Sequence, residues 1–167
     1  MQSRGRKQLE RSTTIDAPIG LVYRLFMDNA ELATWAPVVD AVIDEQGADD
    51  RGLGATRTCA VTMNGRTGTM VEQCVEAVPE TRASFRVVDD SLGFGRLFTG
   101  YGFTAHFAAA ADGTTMVRIE TFYTPAGPVP AALNALVMRR RFRQVVDGLL
   151  AGLRDLAEQR HARQARP

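Results

Sequence analysis

The sequence predicts one α+β domain: a curved antiparallel sheet of about seven strands around a long C-terminal helix, with two short helices after the first strand. Three observations carry this. Between residues 38 and 124, apolar side chains recur with a period of two in six successive segments. Only short turns separate those segments, which excludes the helical crossovers that parallel strands need. From residue 131 onward the period becomes helical and stays so to about residue 159.

The elements follow in order. Gln8–Ile15 ends in the β-branched run Thr13-Thr14-Ile15 and reads as the first strand. Asp16-Ala17-Pro18 stops it; Asp16 is placed to cap the next helix, with Pro18 in its first turn. Val22, Leu25 and Phe26 give that helix an apolar stripe, and Asn29–Trp35 forms a second short helix ending at Ala36-Pro37. The six remaining strands are Val38–Asp44, Ala55–Met63, Thr67–Val78, Arg82–Val88, Tyr101–Ala109 and Thr115–Thr124. Turns fall at 47–54, Asn64-Gly65, Pro79-Glu80, 93–100 and Asp112-Gly113, the second and last being strong hairpin signals. In the last helix Met138, Phe142, Val145, Val146, Leu149, Leu153 and Leu156 form one stripe, with Arg139, Arg140, Arg141, Arg143 and Arg154 on its wet side.

The 167 residues suit one domain, spanning 8–159 between basic, polar tails at 1–7 and 160–167. Twenty Lys and Arg balance nineteen Asp and Glu, whereas a nucleic-acid protein needs a basic excess, so no nucleic-acid partner is expected. No apolar run approaches a membrane span and the N-terminus lacks a signal-peptide core, so the expectation is a cytoplasmic protein without membrane insertion. Cys59, Cys74, His106 and His161 make neither a disulfide framework nor an evident metal site. Dinucleotide, P-loop and nucleophile-elbow motifs are missing as well, so no cofactor is expected.

The chain resembles the START-like, or SRPBCC, helix-grip superfamily, and within it the polyketide cyclase/dehydrase group. The matching residues run from about Glu10 to Glu158: Ile15-Asp-Ala-Pro-Ile-Gly-Leu-Val-Tyr-Arg-Leu-Phe, Leu32-Ala-Thr-Trp-Ala-Pro, Gly52-Leu-Gly-Ala-Thr-Arg, Val71-Glu-Gln-Cys-Val-Glu-Ala-Val-Pro, Gly113-Thr-Thr-Met-Val-Arg-Ile-Glu-Thr-Phe and Leu149-Leu-Ala-Gly-Leu-Arg-Asp-Leu. Each piece alone is weak; their order and spacing are specific for the fold and poorly specific for function. The resemblance implies a deep, mostly apolar cavity between sheet and long helix, binding a hydrophobic small molecule. Some members cyclise or dehydrate polyketides; others carry lipids.

Alternation places Tyr101, Phe103, Ala105 and Phe107 toward the cavity and His106 outward. For 115–124 the resemblance implies that Met116, Arg118, Glu120 and Phe122 face in, while alternation alone favours Val117, Ile119, Thr121 and Tyr123. For 67–78 it implies Val71, Gln73, Val75 and Ala77 inward, with Glu72, Cys74 and Glu76 solvated. Trp35 sits where such enzymes carry a pocket tryptophan. Phe26, Met63, Phe85, Val87, Leu133, Val137 and Phe142 complete the expected lining, each also readable as plain core. On this reading Arg118 stabilises an enolate, Glu120 shuttles a proton and Gln73 orients the substrate of a cofactor-free cyclase or dehydratase. The alternative is a non-catalytic lipid or isoprenoid carrier or sensor. The aromatic, glycine-rich loop 91–100 is expected at the cavity entrance, or as the contact of a homodimer.

Overall fold

A computed structural model describes residues 4–47 and 52–165. The expected turn at 47–54 and the two tails therefore lie partly outside the described residues. Seven strands form one antiparallel sheet: β1 (Lys7–Ile15), β2 (Val39–Gln46), β3 (Thr56–Met63), β4 (Arg66–Val78), β5 (Arg82–Asp90), β6 (Phe98–Ala109) and β7 (Thr115–Pro125). Their spatial order is β1-β7-β6-β5-β4-β3-β2. β2 to β7 thus form a meander of neighbours, and β1 closes onto the far edge of β7.

Helices α1 (Ile19–Met27) and α2 (Asn29–Trp35) follow β1, and a single turn, α3 (Phe94–Leu97), interrupts the β5–β6 loop. The C-terminal rod is longer than its periodicity suggests. It comprises α4 (Pro128–Leu133), a π-helical turn at Asn134–Met138, and α5 (Arg139–Gln164). Residues 160–164, assigned to the C-terminal tail from the sequence, are helical, and Arg160 bonds Glu31 at 2.7 Å. The N-terminal stretch is also anchored, because the Gly5 amide donates to the Gly100 carbonyl at 3.0 Å. Asp16 does not cap α1. Its own amide instead donates to Glu158 at 3.0 Å, while Asp28 caps α2 through the Ala30 amide.

Leu21, Val22, Leu25 and Phe26 of α1 pack with Phe142, Val146, Leu150, Leu153 and Ala157 of α5 into the concave face of the sheet. Burial of these apolar faces is the main stabilising contribution. One glycine sets the helix position. A Cβ at Gly152 would collide with the Trp35 carbonyl oxygen and lie 2.9 Å from its carbon, so α5 lies directly on the backbone ending α2. The Trp35 indole N–H donates to the Leu25 carbonyl at 3.1 Å, tying α2 to α1.

Candidate functional site

The site follows from which faces of the strands point inward. On β7, Val117, Ile119, Thr121 and Tyr123 are all buried against the core. Arg118 and Glu120 lie on the convex face, which corrects the inward placement that the resemblance implied. There Glu120 meets His106 at 3.3 Å and Lys7 at 3.4 Å, and Arg118 approaches Glu10 at 3.8 Å. Met116 is 52% exposed, and the Phe122 ring lies under the Arg4 guanidinium at 3.3 Å rather than in the cavity. The physical reason is cost: an inward Arg and Glu would need full desolvation, while the odd positions are β-branched or aromatic. Burial alone raises the Glu120 pKa, but the hydrogen bonds with His106 and Lys7 outweigh it, and the net pKa is lowered.

β4 requires the same correction. Met70, Glu72 and Cys74 face the core, whereas Val71 and Gln73 do not; Gln73 accepts from Arg86 at 2.9 Å on the convex side. The register shifts between Cys74 and Glu76, leaving Val75 looped out and 44% exposed. Past that bulge the parity inverts, so Ala77 packs inward while Glu76 bonds Arg82 and Ser84 outside. On the C-terminal rod, Leu133 and Val137 are exposed rather than lining. The π turn advances the phase by one residue and presents Asn134 and Met138 inward instead.

The cavity lies between the concave sheet face and α5 and encloses about 80 Å³. Trp35, Met63, Tyr101, Phe103 and Phe142 line it, together with Leu32, Cys59, Val61, Met70, Val87 and Ile119. Phe85 sits beside it, stacked on Phe103 with centroids 5.3 Å apart. Phe107 belongs to the closed end, packed on Phe26 at 5.3 Å.

Two polar features enter this apolar space. The first is a buried ion pair across β3 and β4. The Arg57 side chain bonds Glu72 at 2.9 and 2.8 Å and Asn29 at 2.9 Å, with its guanidinium 4.3 Å above the Phe85 ring. Arg57 shares its parity with Cys59, Val61 and Met63, and this signal marks it as inward. Glu72 shares its parity with Met70 and Cys74, a signal obscured by the apolar Val71 and Val75 on the other side. The second feature is Thr121, 4% exposed, a residue of the cavity wall whose buried hydroxyl has no hydrogen-bond partner among the described residues. Nearby, burial raises the Tyr101 pKa, with Glu72 adding to it, so the phenol stays neutral. The Tyr123 hydroxyl, pushed up to about 12 by burial, donates to Asn134 at 2.7 Å.

β5 and β6 stop pairing beyond Arg86 and Gly102. A groove of about 600 Å³ opens there, walled by Asp89 to Leu92, Arg96 and Phe98 to Tyr101. Val87 and Tyr101 line both this groove and the cavity. They are the partition between them, and α3 stands at the rim with Phe94 6.4 Å from Tyr101.

A bent antiparallel sheet gripping a C-terminal helix over an apolar hollow defines the START-like, helix-grip class. The chain belongs to the family described as polyketide cyclase / dehydrase and lipid transport, whose model matches residues 6–158. None of the curated proteins matches it in sequence. Among solved structures it is similar to an aromatase/cyclase from Streptomyces sp. R1128, at 14% identity and TM-score 0.75, covering 91% of this chain and 93% of that one. A START superfamily protein from Mycobacterium smegmatis is similar at 12% identity and TM-score 0.73, with coverage of 90% and 97%. A ginseng major latex-like protein from Panax ginseng follows the same pattern, at 14% identity and TM-score 0.72, with coverage of 89% and 95%. At these identities the likeness concerns the fold.

Proposed function

We propose that the protein binds a small, mainly apolar molecule carrying one hydrogen-bonding group between sheet and α5, and holds it unchanged as a carrier or sensor. The observation that carries this reading is the unpartnered Thr121 hydroxyl at the wall of a cavity whose other polar groups, Arg57 and Glu72, bond each other. Buried polar groups in folded proteins are nearly always satisfied, so such a hydroxyl fits a ligand's carbonyl or hydroxyl. The enclosed 80 Å³ is too small for most such guests, whose sites measure roughly 300–1,000 Å³. Rotation of Tyr101 would join the cavity to the groove outside it and supply the missing room. Arg57 and Glu72 satisfy each other, which favours orienting a guest over transforming it.

A second reading is a cofactor-free cyclase or dehydratase acting on a polyketide-like molecule. It draws on the Glu72 carboxylate and the neutral Tyr101 phenol sharing one cavity, and on the fold likeness to an aromatase/cyclase. Glu72 would take a proton from carbon next to a carbonyl, and Tyr101 would protonate the departing hydroxyl. Arg118, Glu120 and Gln73, on the convex face, have no part in it.

The test uses 1-anilinonaphthalene-8-sulfonate, read through Trp35, the chain's one tryptophan, in the cavity wall. Saturable energy transfer from Trp35 that disappears in Val61→Phe, a cavity-filling change, is expected. Transfer that survives Val61→Phe would refute binding in this space. A molecule copurified from the native host and returned lighter by one water would favour the second reading.

A further inference from the structure

The first turns of the C-terminal rod expose what a soluble helix normally buries. Leu136 is 80% exposed and Val129 77%, and Leu133 and Val137 are exposed beside them. The one fully buried residue between Pro128 and Met138 is polar, Asn134, held by Tyr123. Immediately following are Arg139, Arg140, Arg141 and Arg143, all exposed, and none makes an ion pair among the described residues. The balanced charge of the whole chain hides this local concentration of four cations in five residues.

We propose that this surface docks the protein onto an anionic phospholipid bilayer. Apolar side chains beside a cluster of guanidiniums match the two layers of such a surface: acyl boundary for Leu136 and Val129, phosphate headgroups for the arginines. An equivalent surface on a second copy is a poor match, because a two-fold contact through Leu136 would bring two arginine clusters together. The docked geometry places the cavity entrance at the membrane. The Ala126 amide, just before α4, donates to the Leu97 carbonyl of α3 at 2.9 Å, and the Phe94 ring lies 5.8 Å from Phe142. The docking does not depend on what the cavity holds, and its test is independent of guest binding.

The test is cosedimentation of the whole chain with vesicles of phosphatidylcholine alone and of phosphatidylcholine with an equal share of phosphatidylglycerol. Binding to the anionic vesicles only, weakening as salt is raised, is expected. The triple variant Arg140→Gln/Arg141→Gln/Arg143→Gln should bind on the order of 100-fold more weakly, at about fivefold per arginine. Val129→Gln/Leu136→Gln, at exposed positions and folded by circular dichroism, should also lose binding. No sedimentation with anionic vesicles at low salt would overturn the proposal, as would binding that neither variant changes. A wild-type dimer in solution that becomes monomeric in Val129→Gln/Leu136→Gln would overturn it in favour of a self-interface.

Discussion

Replacing Arg57 by Met is the substitution that most sharply probes the polar end of the cavity. The Arg57 and Glu72 side chains are 6% and 12% exposed, so the pair is desolvated. Met preserves much of the aliphatic length but leaves the buried Glu72 carboxylate without its cation. Removing one partner of a buried pair costs about 3–5 kcal/mol. Loss of the guanidinium from the Phe85 face adds about 0.5–2 kcal/mol. For a domain of this size that total corresponds to a fall in Tm on the order of 10–20 °C. The double variant Arg57→Met/Glu72→Leu removes both charges and should recover most of the loss, since an apolar pair of similar volume is often neutral. Urea unfolding followed by circular dichroism at neutral pH, on both singles and the double, measures the coupling. A cost below about 1 kcal/mol for Arg57→Met, as for an exposed pair, would refute the burial argument. So would a double variant as unstable as the sum of the singles.

Three further outcomes follow from the same geometry. Gly152→Ala should destabilise by about 1–3 kcal/mol, although Ala normally favours a helix, because its methyl meets the Trp35 backbone; thermal melts showing stabilisation would contradict the close approach. Glu120 has its pKa lowered in the fold, so its contribution is complete above the unfolded value near 4.5 and is lost as pH falls through the lower folded value. Glu120→Gln should therefore flatten the fall of urea midpoint between neutral pH and about pH 3, and leave probe binding unchanged. Tyr123→Phe should cost about 1–3 kcal/mol in urea melts by stranding the buried Asn134 amide.

The fold was largely legible in the sequence because its signals are local and redundant. The change of period at 131, the Asn64-Gly65 and Asp112-Gly113 turns and the stripe from Met138 to Leu156 all survive in the structure. The inward faces were legible where alternation is unbroken, as on β6 and in the odd positions of β3. They failed where the resemblance overrode alternation, at Arg118 and Glu120, and where the backbone departs from regularity. The bulge at Val75 inverts the parity within β4, and the π turn at Asn134–Met138 rotates Leu133 and Val137 out. Neither irregularity leaves a local composition signal, because each is set by how distant elements meet. Arg57 was readable from its neighbours; Glu72 required knowing where the bulge falls.

The most direct measurement is a crystal structure of the complex with 1-anilinonaphthalene-8-sulfonate. Density for the probe should lie between the sheet and α5, within reach of the Thr121 hydroxyl, with the Tyr101 ring swung toward the β5–β6 groove. A probe bound only on the outer surface, with Tyr101 in place and the hollow still about 80 Å³, would contradict the account.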